Sequence, residues 1–286
     1  MSATLLEKAP AKINLTLRVL GRRPDGYHEI ESLVAFADFG DVLTLRTDAA
    51  EGLEITGPFG GKSGPIGENL VLKAVAAGRK RVAGLQAGNF LLEKNIPVAA
   101  GLGGGSADAA AALRLVARVN ALALDDPRLM SAARATGADV PVCLRPQARI
   151  MRGIGERLSA PIDLPVLSAL LVNPLVPLAT RDVFSKFAGG RDGGNQADSV
   201  PNAFNHLIDF LEQHDNDLAD AACACAPVIG EILETLRALP GARLARMSGS
   251  GPTCFALFAE PSEGTAAARK LRAQRRDWWV QPAAIG

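Results

Sequence analysis

Residues 97–113, PVAAGLGGGSADAAAAL, constrain this chain more than any other stretch, because a glycine-dense loop runs straight into a segment made largely of alanine. Glycine lacks a Cβ, so Gly101, Gly103, Gly104 and Gly105 are free to take positive φ and to turn successive backbone N–H groups toward an anion. Ser106 is the expected N-cap of a helix over 106–120. The free amides of its first turn and the positive end of its dipole then face one concavity, which suits a di- or triphosphate. Asp108 falls in that expected first turn, where a carboxylate steadies the helix through the dipole; metal binding is the alternative. The alanines carry the highest helix propensity and let the helix pack close to a sheet or a nucleotide. Steric need at a sharp junction between strand and helix is the competing reason for such glycines.

The spelling separates this loop from two better-known phosphate motifs. In the dinucleotide fingerprint G-x-G-x-x-G, the window from Gly101 puts Ser106 where the last glycine belongs. The GGKS at 60–63 fails as a Walker loop, since Thr56 stands at the required glycine and Gly57 comes one place late. A third type of nucleotide loop remains.

At 286 residues the chain is long for one core and suits two domains, expected as 1–160 and 161–286. Thirty-one basic against thirty acidic side chains leave a net charge of +1, so no long-range field points to nucleic acid or an anionic membrane. Any anionic ligand must be held by local groups. No basic segment followed by an apolar core opens the sequence, so a secretory signal is not expected and a cytoplasmic location is. The most apolar run, 164–179, is short and carries Ser168, Asn173 and three prolines, which argues for a buried strand over a membrane span. Cys143, Cys223, Cys225 and Cys254 are scattered and expected as reduced thiols, and Cys223-Ala-Cys225 lacks zinc spacing.

Helix-like and strand-like stretches interleave, predicting mixed α and β layers. KINLTLRVL at 12–20 alternates, with Ile13, Leu15, Leu17 and Val19 on one face and Asn14, Thr16 and Arg18 on the other, as in a half-buried strand whose polar face lines a cleft. RRPDGYHEIES supplies a turn and an extended segment, and DVLTLRTD alternates as a further strand. Residues 68–83 read as helix, GNFLLEKNIP as the strand entering the glycine loop, and 126–136 as another helix. AGGRDGGNQADSV at 188–200 has the composition of a mobile loop. Two amphipathic helices follow, ending near Asp217 and Leu239; then come strand, glycine turn and strand in ARLARMSGSGPTCFALFAE, a basic helix, and a short last strand.

Three more segments gain meaning beside the glycine loop: PAKINL at the start, ATGADVP at 135–141, and MSGSGPTCFALF near the end. Lys12 heads a strand and Asp139 follows a glycine turn, and each alone reads as a solvated charge. Together, in this order and spelling, the segments resemble the GHMP kinases over the whole chain. Within that superfamily, PAKINLTLRVLGRRPDGYHEIESL is most similar to the members that phosphorylate 4-diphosphocytidyl-2-C-methyl-D-erythritol, and DGYHE is the discriminating element.

The resemblance implies an α+β fold of two domains: an N-terminal ATP-binding domain with a glycine-rich phosphate loop, and a C-terminal ferredoxin-like domain. It implies transfer of the γ-phosphoryl group of ATP to the 2-hydroxyl of that alcohol, with Asp139 as base and Lys12 compensating charge. Pro97, Val98, Ala99, Ala100, Gly101, Leu102, Gly103, Gly104, Gly105, Ser106 and Ala107 are the implied ATP loop. Asn69 matches a position near the nucleotide, and helix capping is an equal reading. On the acceptor side, Tyr27 offers a face for stacking cytosine, His28 an edge contact, and Phe184 closure of the other side of the base. The alternative for Tyr27 is a turn residue packed on the sheet, and for Phe184 core packing. Asn14 lies two residues from Lys12 and suits the methylerythritol hydroxyls, as Asp139 also does; Thr180 fits beside the diphosphate or as an N-cap. Gly249, Ser250 and Gly251 are a second glycine turn, expected to approach the loop or simply to close a hairpin.

Ala107 departs from the many relatives with a second serine there, removing one hydroxyl contact. Magnesium is expected with ATP, with no nameable carboxylate ligand and Ser106 as the one direct contact. The implied partners are small molecules, with no nucleic acid or membrane, in a monomer or weak homodimer. A homoserine- or mevalonate-type kinase, or a nucleotide-binding module without turnover, are the alternatives.

Overall fold

The computed structural model describes residues 4–189 and 199–286. The central part of the loop expected at 188–200 lies outside the described residues. The first part of the chain runs β1 (Thr4–Asn14), β2 (Arg18–Arg22), β3 (His28–Arg46), β4 (Gly52–Thr56), α1 (Leu70–Arg79) and β5 (Asn89–Glu93). There follow α2 (Gly104–Val119), α3 (Pro127–Thr136), α4 (Val140–Leu144), β6 (Arg149–Gly153), β7 (Arg157–Leu158) and β8 (Leu167–Asn173). The rest is α5 (Thr180–Lys186), α6 (Phe204–Gln213), α7 (Ala219–Cys225), α8 (Val228–Arg237), β9 (Ala242–Met247), β10 (Cys254–Phe258), α9 (Pro261–Gln274) and β11 (Trp279–Ile285).

The chain divides into two compact units that interleave in sequence, where the sequence predicts a single cut near residue 160. One unit holds the chain up to Lys12, Phe39–Val98 and Gly103–Pro146; the other holds Ile13–Asp38, Ala99–Leu102 and Gln147–Gly286. The division falls inside β1 and β3 because both strands outrun a typical strand of about six residues. β3 alone is 19 residues long and joins what the sequence suggests are separate extended segments.

In the first unit β4 pairs parallel with β5, and β5 pairs antiparallel with residues 42–46 of β3. Gly40 is required where β1 crosses, since a Cβ there would stand 2.2 Å from the Ala9 carbonyl oxygen. Helix α2 packs on α1 and α4, and α1 on α3. Ala107 and Ala109 to Ala112 are all buried, so α2 is enclosed on every side, which its alanine composition makes sterically possible.

In the second unit β2 and β6 pair antiparallel with β3, and β7 with β6. Strands β11, β8, β10 and β9 lie in that order, all antiparallel. The chain passes through helices between β8 and β9 and through α9 between β10 and β11, the split β-α-β arrangement. Leu170, Val172, Ile229, Ile232, Leu236 and Phe258 centre its core. Between the described loop edge and β9 there are three helices in place of the expected two, because Pro227 starts a new helix after α7.

The expectation of a half-buried strand over 12–20 needs correction. Asn14, Thr16 and Arg18 are buried along with the apolar residues, and the strand breaks after Asn14. The polar side chains are satisfied internally: Thr16 Oγ1 accepts from the Leu33 amide at 3.0 Å, and the Arg18 guanidinium pairs with buried Glu31. They do not form a wet face.

Candidate functional site

In the first unit, Lys12 lies near the end of β1 and Asp139 at the N-cap position of α4. Lys12 Nζ stands 3.0 Å from Asp139 Oδ2, with the lysine side chain 5% exposed and the aspartate 34%. Asp139 makes no capping bond to α4, so its carboxylate is not consumed by the helix it precedes. The arrangement leaves a carboxylate reachable by a ligand and a buried cation fixed behind it. The carbonyl end of short α4 is held in turn by the Arg114 guanidinium, which donates to the Cys143 carbonyl at 2.7 Å. Burial pushes the Cys143 thiol up to about 12, so it stays protonated and takes no part as a thiolate.

Two expectations about the glycine loop are corrected. The helix starts at Gly104 and its N-cap is Gly103, at φ 63°, so Ser106 is the third helical residue and not the cap. Gly103 serves because a Cβ on it would come within 3.2 Å of Lys12 Cβ and Cε. The stem of Lys12 therefore runs directly against the start of α2. The amides of Gly104, Gly105 and Ser106 open the helix without intrahelical acceptors, as an anion site requires. Asp108 is likewise not in the first turn. It is buried and bonded to Lys94 at 2.7 Å, while Lys94 also pairs with buried Asp41. The sequence reading missed Lys94 and Asp41; a lysine ending an apolar strand was the available signal, but its partner lies 53 residues away. Asn69 caps α1 through its Oδ1, which accepts from Val71 N at 2.9 Å.

Elsewhere in the loop, Val98 and Ala99 are exposed, while Pro97, Ala100, Leu102 and Ala107 turn their side chains inward. Ala99 takes φ 54° without being glycine, a conformation that costs energy at a non-glycine residue and is found where a loop is held for use.

In the second unit, Gly101 meets the turn of residues 248–252. A Cβ on Gly101 would stand 2.6 Å from both the Gly251 and Ser248 carbonyl oxygens, and its φ is 74°. Ser248 Oγ donates to Gly101 O at 3.0 Å and accepts from Asn14 N at 3.1 Å, and Thr253 N donates to Ala100 O. The glycine turn is thus both the connection between β9 and β10 and the support of the loop. Asn14 is engaged here, its Nδ2 donating to Ser32 Oγ at 2.7 Å. Thr180 begins α5 but does not cap it; its hydroxyl lies 2.9 Å from that of Ser250.

At the DGYHE turn the Asp25 carboxylate accepts from the Tyr27 amide, and Tyr27 itself is 60% exposed. His28 stacks on Phe184 with ring centroids 4.7 Å apart, while Phe184 also packs on the core of its unit. Burial, then the neighbouring Arg22, holds the His28 ring below its ordinary pKa, which favours a neutral imidazole. Among the described residues no group of three His, Cys, Asp or Glu side chains is placed to hold a metal ion. No helix there is long and apolar enough to cross a membrane.

The sequence matches the GHMP kinases N terminal domain over residues 69–146 and the GHMP kinases C terminal domain over 202–277. It is 53% identical to a protein of Rhodopseudomonas palustris strain CGA009 named 4-diphosphocytidyl-2-C-methyl-D-erythritol kinase, across 99% of this chain and 97% of that one. Among solved structures, a 4-(cytidine 5'-diphospho)-2C-methyl-D-erythritol kinase superposes with a TM-score of 0.78 at 34% identity, covering 99% of each chain. A homoserine kinase from Cytophaga hutchinsonii reaches 0.71 at 19% identity, covering 99% of this chain and 95% of that one, a likeness of fold.

Proposed function

The chain belongs to the GHMP kinases, and we propose that it transfers the γ-phosphoryl group of ATP to the 2-hydroxyl of 4-diphosphocytidyl-2-C-methyl-D-erythritol. The carrying observation is the Lys12–Asp139 pair at the start of α2, with the lysine stem against Gly103. The acceptor follows from the names borne by the relatives that match over full length.

Phosphoryl transfer asks a protein for alignment and for compensation of negative charge. In this reading Asp139 accepts the proton of the attacking hydroxyl, and Lys12 compensates charge on the hydroxyl and the transferred oxygens. The amides opening α2 hold the β- and γ-phosphates, and residues 97–107 form the nucleotide loop with Asn69 nearby. Tyr27, His28 and Phe184 receive the cytosine, Thr180 the diphosphate, and Asn14 the polyol. Asn14 Nδ2 donates to Ser32 Oγ, which fixes the orientation in which Asn14 meets the polyol.

Magnesium enters this reading with the nucleotide. The Ser106 hydroxyl, a hard oxygen donor in the first turn of α2, is the side chain that would hold it. The ion would screen the triphosphate charge. A cytoplasmic monomer or weak homodimer, with small molecules as its only partners, completes the reading.

The test is ADP release with Mg·ATP and the cytidyl alcohol, beside homoserine, mevalonate and no acceptor. Turnover confined to the cytidyl alcohol is expected. Turnover only with another alcohol overturns the acceptor, and none with any acceptor in protein that binds ATP leaves a binding module.

A further inference from the structure

We propose that Lys94 is a positioning residue of the phosphate loop, fastening the strand that enters the loop to the helix that leaves it through Asp41 and Asp108. The inference rests on the kinase reading above.

Asp41 lies on β3, Lys94 directly follows β5, and Asp108 sits in the second turn of α2. Asp41 Oδ1 accepts from the amides of Asn95 at 2.5 Å and Ile96 at 2.8 Å, which fixes the chain just before Pro97. Asp41 Oδ2 takes Lys94 Nζ, and the same ammonium donates to Asp108 Oδ2 at 2.7 Å. It lies 3.4 Å from where a Cβ on Gly104 would be, under the first turn of α2. All three side chains are buried, so bulk solvent does not screen these interactions. One cation thus ties both flanks of the loop to the sheet.

No basic side chain on α2 replaces Lys94 in this tie, because Arg114 is engaged by Glu7 and by the Cys143 carbonyl.

The experiment is calorimetric titration of a non-hydrolysable ATP analogue into the full chain, Lys94→Met and Asp108→Ala, with KM for both substrates. Lys94→Met is expected to weaken nucleotide binding and raise KM for ATP about tenfold, leaving KM for the cytidyl alcohol unchanged. Asp108→Ala cuts only the helix side of the tie and should shift the same two readings in the same direction by less. A folded Lys94→Met with unchanged affinity overturns the proposal, as does a rise in both KM values alike. If Lys94→Met does not fold, Asp108→Ala decides by the same criteria. An unaltered chain that binds no nucleotide overturns the kinase reading and this inference with it, whereas the failures above leave the kinase reading intact.

Discussion

Gly101 and Gly104 stand three places apart in one motif, yet replacing each with alanine should have opposite consequences. At Gly101 the new Cβ would stand 2.6 Å from two carbonyl oxygens, those of Ser248 and Gly251. Carbon and carbonyl oxygen ordinarily meet at about 3.3 Å or more, so the loop or the 248–252 turn must move. Its φ of 74° adds the left-handed penalty of about 1–2 kcal/mol for an L-residue. Overpacking of this kind costs about 1–3 kcal/mol, giving about 2–5 kcal/mol in all. Movement would also stretch the bonds from Ser248 Oγ to Gly101 O and from Thr253 N to Ala100 O, which shape the loop. At Gly104 the nearest atoms to an added Cβ are 3.4 Å away and the backbone is helical. Alanine there should be neutral or stabilise by up to about 1 kcal/mol. Urea denaturation and KM for ATP measured on both variants check this: Gly101→Ala should lose stability and raise KM for ATP, while Gly104→Ala should match or exceed the parent in stability. A Gly101→Ala protein of parental stability and parental KM would refute the reasoning.

Asp139→Asn should reduce kcat about 10²–10⁴-fold while calorimetry shows nucleotide affinity retained, because a general base is lost and the phosphate donors are not. Phe184→Ala removes the ring stacked on His28, so KM for the cytidyl alcohol should rise with KM for ATP unchanged; equal rises in both would refute its assignment to the base. Asn69→Ala removes the cap of α1 and should cost about 1 kcal/mol by urea denaturation, and retention of that stability would count against the cap as a contributor.

Much of the fold was legible because its signals are local. A glycine turn between two strand-like runs marked β9 and β10, the alanine run marked α2, and the helix read over 126–136 is α3, whose cap is the Asp126 side chain. Strand continuity was not legible. β3 runs unbroken through 19 residues because its two halves find different partners, β2 and β6 for one and β5 for the other. Alternation along one segment carries no record of which strand lies beside it. The same limit hid the burial of Asn14, Thr16 and Arg18, whose partners Ser32, Leu33 and Glu31 come from another part of the chain.

By itself the sequence determined the chemistry available: a glycine loop feeding an alanine helix, a lysine and an aspartate in fixed order, and a turn carrying the chain's only tyrosine. Backbone freedom and side-chain type are properties of residues, and they travel with the residue. Only tertiary structure decided that Gly103 rather than Ser106 opens α2, since the stem of Lys12 occupies the space a Cβ would need. Tertiary structure also withdrew Asp108 from the helix end and gave it to Lys94, because a buried charge must find its partner wherever the fold supplies one.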